Sequence, residues 1–407
     1  MTKKIIKKSI EKNRYPYEFL LMYAIYFGGS AAFSPYIPLY LKEIGLTQVL
    51  IGILFAIGPL VAMLSQPVWG IVGDRSKSKN RVLLILLAGA AVSIIIFPVS
   101  TAVWYVFFAY IMFTFFNSSI NPLIDTIALE GIEKTKWKFG PIRMGGVYGY
   151  SLVAILSGIV LKNNLSWMFL IYAIILMLNF AMVFKLPVVE GHQHGDKKVS
   201  LWVLLKNKRL VLMLAFGLII QSTLGFYFSF FSIYFEELGG DSALLGWAMS
   251  VSALAEIPFL MFADKIVNKL GIIKTMTLAS IVTSARWVVF FFLNSAMQAV
   301  FVNLLHGFTY IVVIYCMAIY INENVQKELR ASGQALNGVV TVGISRIIGS
   351  VIGGYFSDIV GLREMFLYCS VFGFIATLVI NYLFLRINKV SKASFAAEFQ
   401  CSTDIMA

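Results

Sequence analysis

Gly70-Ile71-Val72-Gly73-Asp74-Arg75-Ser76-Lys77-Ser78-Lys79-Asn80-Arg81 joins two apolar runs, at 51–73 and 81–99. Each run is about 20 residues long, enough for an α-helix to cross a hydrocarbon core of about 30 Å. The turn between them is short and basic. The same unit, an apolar run closed by a charged turn, recurs along the whole chain. Composition agrees: the 407 residues are 59% hydrophobic and only 13% charged, with a mean hydropathy of +0.83. A water-soluble chain carries about 25% charge. The pattern therefore predicts an all-α membrane protein.

Working outward from that turn, twelve spans are predicted. The first six are 18–41, 51–73, 81–99, 103–131, 140–161 and 167–186. The second six are 210–236, 244–267, 273–294, 297–321, 331–357 and 363–386. The long polar stretch 187–209 divides them into two six-helix bundles, 18–186 and 210–386, with tails at 1–17 and 387–407. His192 and His194 in that stretch read as a solvated linker in preference to a metal pair. A faint repeat supports the division: Gly73-Asp74-Arg75 follows the second span and Ala263-Asp264-Lys265 follows the eighth.

The net charge of +13 is spread in clusters between apolar runs, which argues against a nucleic-acid surface. Of 33 Lys and Arg, 27 lie in the turns and tails on one side, whereas Lys42, Lys162 and Arg363 alone lie in the opposite loops. That bias predicts a cell-membrane protein with both termini and the linker in the cytoplasm. The basic start reads as a cytoplasmic tail without a cleavable signal. Cys316, Cys369 and Cys401 have no metal or disulfide spacing. No phosphate-binding Gly-rich loop occurs, so ATP hydrolysis is not expected. No cofactor is expected beyond a coupling ion, and a monomer suffices.

The remaining three arginines, Arg143, Arg286 and Arg346, fall inside predicted spans together with Asp125 and Glu256. A charge at mid-bilayer costs roughly 2.5–3.5 kcal/mol even on permissive scales. These side chains must therefore face one another, or water, inside the bundle. The function is expected there.

The Gly70–Arg75 run, with its basic turn, resembles the signature loop of the major facilitator superfamily. The twelve spans and central linker strengthen that resemblance. It implies that Gly70 permits close helix approach and that Asp74 and Arg75 help latch the two halves in one conformation. Asn121-Pro122-Leu123-Ile124-Asp125 and Phe139-Gly140-Pro141-Ile142-Arg143-Met144-Gly145-Gly146 sit on adjacent antiparallel spans, with Asp125 and Arg143 at comparable depth. They resemble the carboxylate–arginine pair that binds sugar in lactose permease, with Asp for Glu. Tyr150 stands where that protein has a stacking Trp. In the second half, Glu256, Arg286, Trp287 and His306 are similar to the phenylpropionate-permease branch. The Arg-to-His spacing of twenty also matches lactose permease, but its coupling carboxylate three residues after the His is Thr309 here.

These resemblances imply a secondary transporter that imports a small polar solute with protons by alternating access. Asp125, Arg143, Tyr150, Gln221, Tyr227 and Arg346 are the expected solute contacts. Glu256, Arg286 and His306 form the expected proton relay, since a carboxylate whose partner moves can bind and release a proton, and imidazole titrates near neutrality by default. Each also has a plainer reading as helix packing. A sugar or oligosaccharide is the first-choice solute and an aromatic carboxylate the second. Nucleoside uptake and drug efflux follow. A membrane-embedded enzyme or sensor is the alternative from another class.

Overall fold

The computed structural model describes residues 15–133, 135–191 and 202–404. His192 and His194 lie outside these. No strand occurs among the described residues. Eleven helices are long and apolar enough to cross a membrane, and a twelfth, of 17 residues, is apolar but shorter. In chain order they are α1 Tyr17–Glu43, α2 Gln48–Arg75, α3 Lys79–Val99, α4 Val103–Ile132, α5 Phe139–Leu161 and α6 Trp167–Val183 in the first half. The second half holds α7 Lys208–Glu237, α8 Ser242–Leu270, α9 Ile272–Phe291, α10 Ala296–Asn324, α11 Ser332–Val360 and α12 Leu362–Ile387. The last belongs to a longer helix, Leu362–Asp404, which runs on through most of the stretch read from sequence as a tail.

Side-chain caps set several helix starts. Thr47 Oγ1 accepts the Leu50 N–H at 3.3 Å, and Asp241 Oδ1 accepts the Leu244 N–H at 2.8 Å. Two residues before each cap a glycine turns the chain through positive φ, +90° at Gly45 and +82° at Gly239. The two cap-and-turn units are 194 residues apart, so the internal repeat is clearer at these turns than at the Asp74 echo.

That repeat shapes the contact between the halves. They meet along two seams, α5 with α8 and α2 with α11. A Cβ on Gly246 would stand 2.3 Å from the Ala154 carbonyl oxygen, and one on Gly52 2.3 Å from that of Ser350. Backbone approaches backbone at both places, which only glycine allows. Polar contacts close the same end. Lys42 pairs with Glu236 at 2.6 Å and Lys162 with Asp241 at 2.9 Å. The Asp358 carboxylate accepts the Gln48 and Val49 N–H groups at the start of α2, each at 3.2 Å. This sealed end is opposite the one where the 187–191 stretch leaves the first half.

Toward the other end the halves part. The Ser242–Leu254 portion of α8 packs along α5, whereas Glu256–Leu270 packs on α9 and α10. The break falls at Ala255, and Pro258 lacks the N–H that would bond the Leu254 carbonyl. At Gly70 nothing lies within 4 Å of where a Cβ would be, contrary to the expected close approach. Asp74 likewise meets only its own half, 4.0 Å from Lys79 Nζ, while Lys79 pairs with Glu130 at 2.5 Å. Arg75 is exposed. Among the described residues the expected latch has no partner across the gap.

Candidate functional site

The helices that carry the candidate residues are irregular where those residues sit. α4 breaks at Ser118–Ser119, α5 at Met144, α8 at Ala255. α10 tightens into a 3-10 turn over Asn303–Phe308 and α11 widens into a π segment over Gly338–Ile344. Mid-helix 3-10 and π segments often mark functional positions, because the shifted hydrogen bonds re-aim side chains. Gly307 lies where α10 crosses the α8 break: its Cβ would overlap the Ala255 carbonyl oxygen at 1.8 Å.

Arg286 is the centre of the second-half cluster. It is fully buried, and its guanidinium lies over Tyr227, Trp287 and Phe290 at 4.5, 5.0 and 5.3 Å from their ring centroids. Its Nη2 donates to Asn303 Oδ1 at 2.7 Å and its Nη1 to His306 Nδ1 at 3.0 Å. Arginine only donates, so His306 Nδ1 must be the accepting nitrogen. The imidazole proton then sits on Nε2, which faces Glu256 Oε1 at 3.6 Å. That separation is too long for a hydrogen bond and leaves room to tighten. The three expected relay residues are thus joined in the order Arg286, His306, Glu256. Glu256 occupies the midpoint of α8, where the two halves begin to separate.

Tyr227, expected to touch solute, is only 2% exposed, and its hydroxyl donates to Asn303 Oδ1 at 2.9 Å. The structure makes it part of the Arg286 cradle. Gln221 lies between Gly217 and Gly225, the two α7 glycines that meet α11, and its Nε2 is buried without a partner. It belongs to the α7–α11 seam. Asn303, absent from the expected set, is the missed residue. It is completely buried, accepts from both Arg286 and Tyr227, and donates to the Ala248 carbonyl at 3.2 Å. Its position three residues before His306, on the same helix face, was the available signal.

In the first half Arg143 Nε lies 4.0 Å from Asp125 Oδ1, and both side chains are partly exposed. Tyr23 of α1, another residue the sequence reading missed, donates to the same carboxylate oxygen at 2.6 Å. The pair sits nearer the open end than expected: Arg143 is one turn into α5. Tyr150 stands two turns further along α5. Arg346 stands at the midpoint of α11, its guanidinium 4.8 Å from the Phe228 ring centroid. Among the described residues no carboxylate lies within 4.0 Å of it, and it makes no hydrogen bond through its side chain.

The geometry is that of a carrier with two bundles, closed at one end, and ionisable groups from both halves around the widening gap. Several proteins are similar in sequence or in fold. The maltose permease of Geobacillus stearothermophilus is 24% identical over 374 residues, covering 90% of this chain and 93% of that protein. The multidrug resistance protein MdtG of Escherichia fergusonii is 31% identical over 253 residues, covering 56% of this chain and 61% of its own length. The crystal structure of the nucleoside transporter NupG superposes with a TM-score of 0.81 at 16% identity, covering 90% of this chain and 98% of that one; at this identity the likeness is one of fold. The MFS_1 like family model matches residues 18–368, and the chain therefore belongs to this family of major facilitator membrane transporters.

Proposed function

We propose that this transporter imports a small hydroxylated solute, a sugar or oligosaccharide, together with protons by alternating access. The observation that carries the reading is the run Arg286, His306, Glu256, bonded at its first step and 3.6 Å apart at its second, placed where α8 leaves α5. Rocking of the halves about that point changes what Glu256 faces, and hence whether it holds a proton. Asp125, Arg143 and Tyr150 supply acceptor, donor and aromatic face to a sugar on the first-half side. The similarity to a maltose permease favours this solute class. Both termini in the cytoplasm, and the bundle limits 18–186 and 210–386, belong to the same reading. The state described here then opens inward.

Labelled maltose uptake into cells, with and without a protonophore, tests the proposal. Accumulation should collapse without the proton gradient, and Glu256→Gln should lose accumulation while keeping exchange of solute across the membrane. Equal accumulation in the absence of a gradient would end the symport reading while leaving transport intact. The MdtG similarity favours drug export as the rival. Net extrusion of preloaded solute on energisation would establish it.

A further inference from the structure

We infer that the transported solute carries a carboxylate, and that Arg346 receives it. This rests on the import reading above and narrows its solute class. Charge balance singles out Arg346. Arg143 has Asp125 as its partner at 4.0 Å, and Arg286 bonds to His306, which faces Glu256 at 3.6 Å. Arg346 is the third intramembrane cation, and among the described residues no carboxylate lies within 4.0 Å of it. A lone guanidinium at the middle of a spanning helix is tolerable while water reaches it. Closing the halves around it strips that water, and an isolated buried charge costs several kcal/mol. An anion arriving with the solute removes the penalty.

The surroundings of Arg346 suit a carboxylate. The Arg346 guanidinium carbon lies over the Phe228 ring, which is held edge-on by His306 and Tyr310 with centroids 5.9 and 5.4 Å away. Among the described residues the guanidinium makes no hydrogen bond, and a carboxylate can take up such a free N–H fork with two parallel hydrogen bonds. Gly225 of α7 lets the α11 backbone pack against it, its Cβ position lying 3.1 Å from the Arg346 Cα, which fixes the base of the side chain.

The internal repeat sharpens the point. Ala154 and Ser350 are equivalent seam residues, each facing a glycine of the opposite half. Four residues earlier on the same helices stand Tyr150 and Arg346. The two-fold thus sets Tyr150 and Arg346 at equivalent positions of the two halves.

Binding to the purified full chain in nanodiscs, by isothermal titration, tests this with three matched pairs: glucuronate and glucose, maltobionate and maltose, 3-phenylpropionate and 3-phenylpropanol. At least one carboxylate should bind tenfold or more tightly than its neutral partner. The pair in which this occurs separates a sugar acid from an aromatic acid. Arg346→Gln should remove the preference, and Arg346→Lys should restore part of it. Absence of preference in all three pairs overturns the inference from wild-type protein alone, whatever the variants do. A preference that survives Arg346→Gln overturns it as well. No proton gradient is involved, so failure of coupling leaves this result standing. Conversely, gradient-driven maltose accumulation by a protein that prefers no carboxylate keeps the import reading and removes this one.

Discussion

At the residue scale, the unusual feature is a buried arginine whose direct partners are neutral. Arg286 gives its charge-assisted bonds to Asn303 and His306 and rests on three aromatic rings. Asn303 therefore does the work of a carboxylate without adding a second charge to a dry site. Asn303→Leu is expected to leave the guanidinium short of an acceptor and to cost about 1–3 kcal/mol, the usual penalty for orphaning a buried charged donor. A thermal unfolding scan in detergent would register it as a clear drop in melting temperature; an unchanged melting point would show that Asn303 is dispensable. Arg143 invites a different test, because it is partly exposed and its loss leaves no buried orphan. Arg143→Ala should abolish uptake while the protein stays in the membrane at wild-type level. Normal transport by that variant would take Arg143 out of the solute site.

At the scale of helices, the two glycine seams and the polar contacts at the sealed end decide which conformation is stable. Gly246 meets the Ala154 carbonyl with no room for a side chain. Gly246→Val should hold that end apart. Spin labels at Glu43→Cys and Glu237→Cys, in a background without Cys316, Cys369 and Cys401, should report a longer distance in the variant. Asp241 adds an electrostatic component. The Leu244 N–H and then Lys162 hold its carboxyl below the usual aspartate range. With the folded value depressed, its contribution is present above the ordinary value of about 3.9 and is lost as pH falls through the lower folded one. The same label pair should therefore give one distance distribution from pH 5 to pH 8. Asp241→Asn should broaden it at every pH in that range, because the Lys162 pair is gone while asparagine still caps α8. A wild-type distribution that changes between pH 5 and 8 would assign the contact to another titrating group.

For the whole molecule, two similar bundles related by an internal repeat leave a gap that widens from the middle toward one end. The break at Ala255 and the 3-10 turn of α10 meet at Gly307, so the place where α8 changes neighbour is also where the relay sits. Tyr150 stands on α5 of the other half, two turns beyond Arg143. Tyr150→Phe keeps the ring and removes the hydroxyl, and should raise the solute concentration needed for half-maximal uptake severalfold while the protonophore effect persists. An unaltered concentration dependence would confine Tyr150 to packing.

Much of this was legible in the chain itself. Apolar run length and the distribution of Lys and Arg set the number of spans and the grouping into two halves, because the cost of exposing polar backbone or charge to hydrocarbon leaves little choice. The same cost marked Asp125, Arg143, Glu256, Arg286 and Arg346 as interior residues. Which of them pair was not legible, because partners on separate helices depend on rotation, on breaks such as Ala255, and on where glycines let backbones touch. Sequence spacing placed Tyr227 and Gln221 toward solute; packing turned the first onto Arg286 and the second into the α7–α11 seam. Asn303 went unnoticed because an uncharged amide costs little by hydropathy, and only the fold puts an arginine against it.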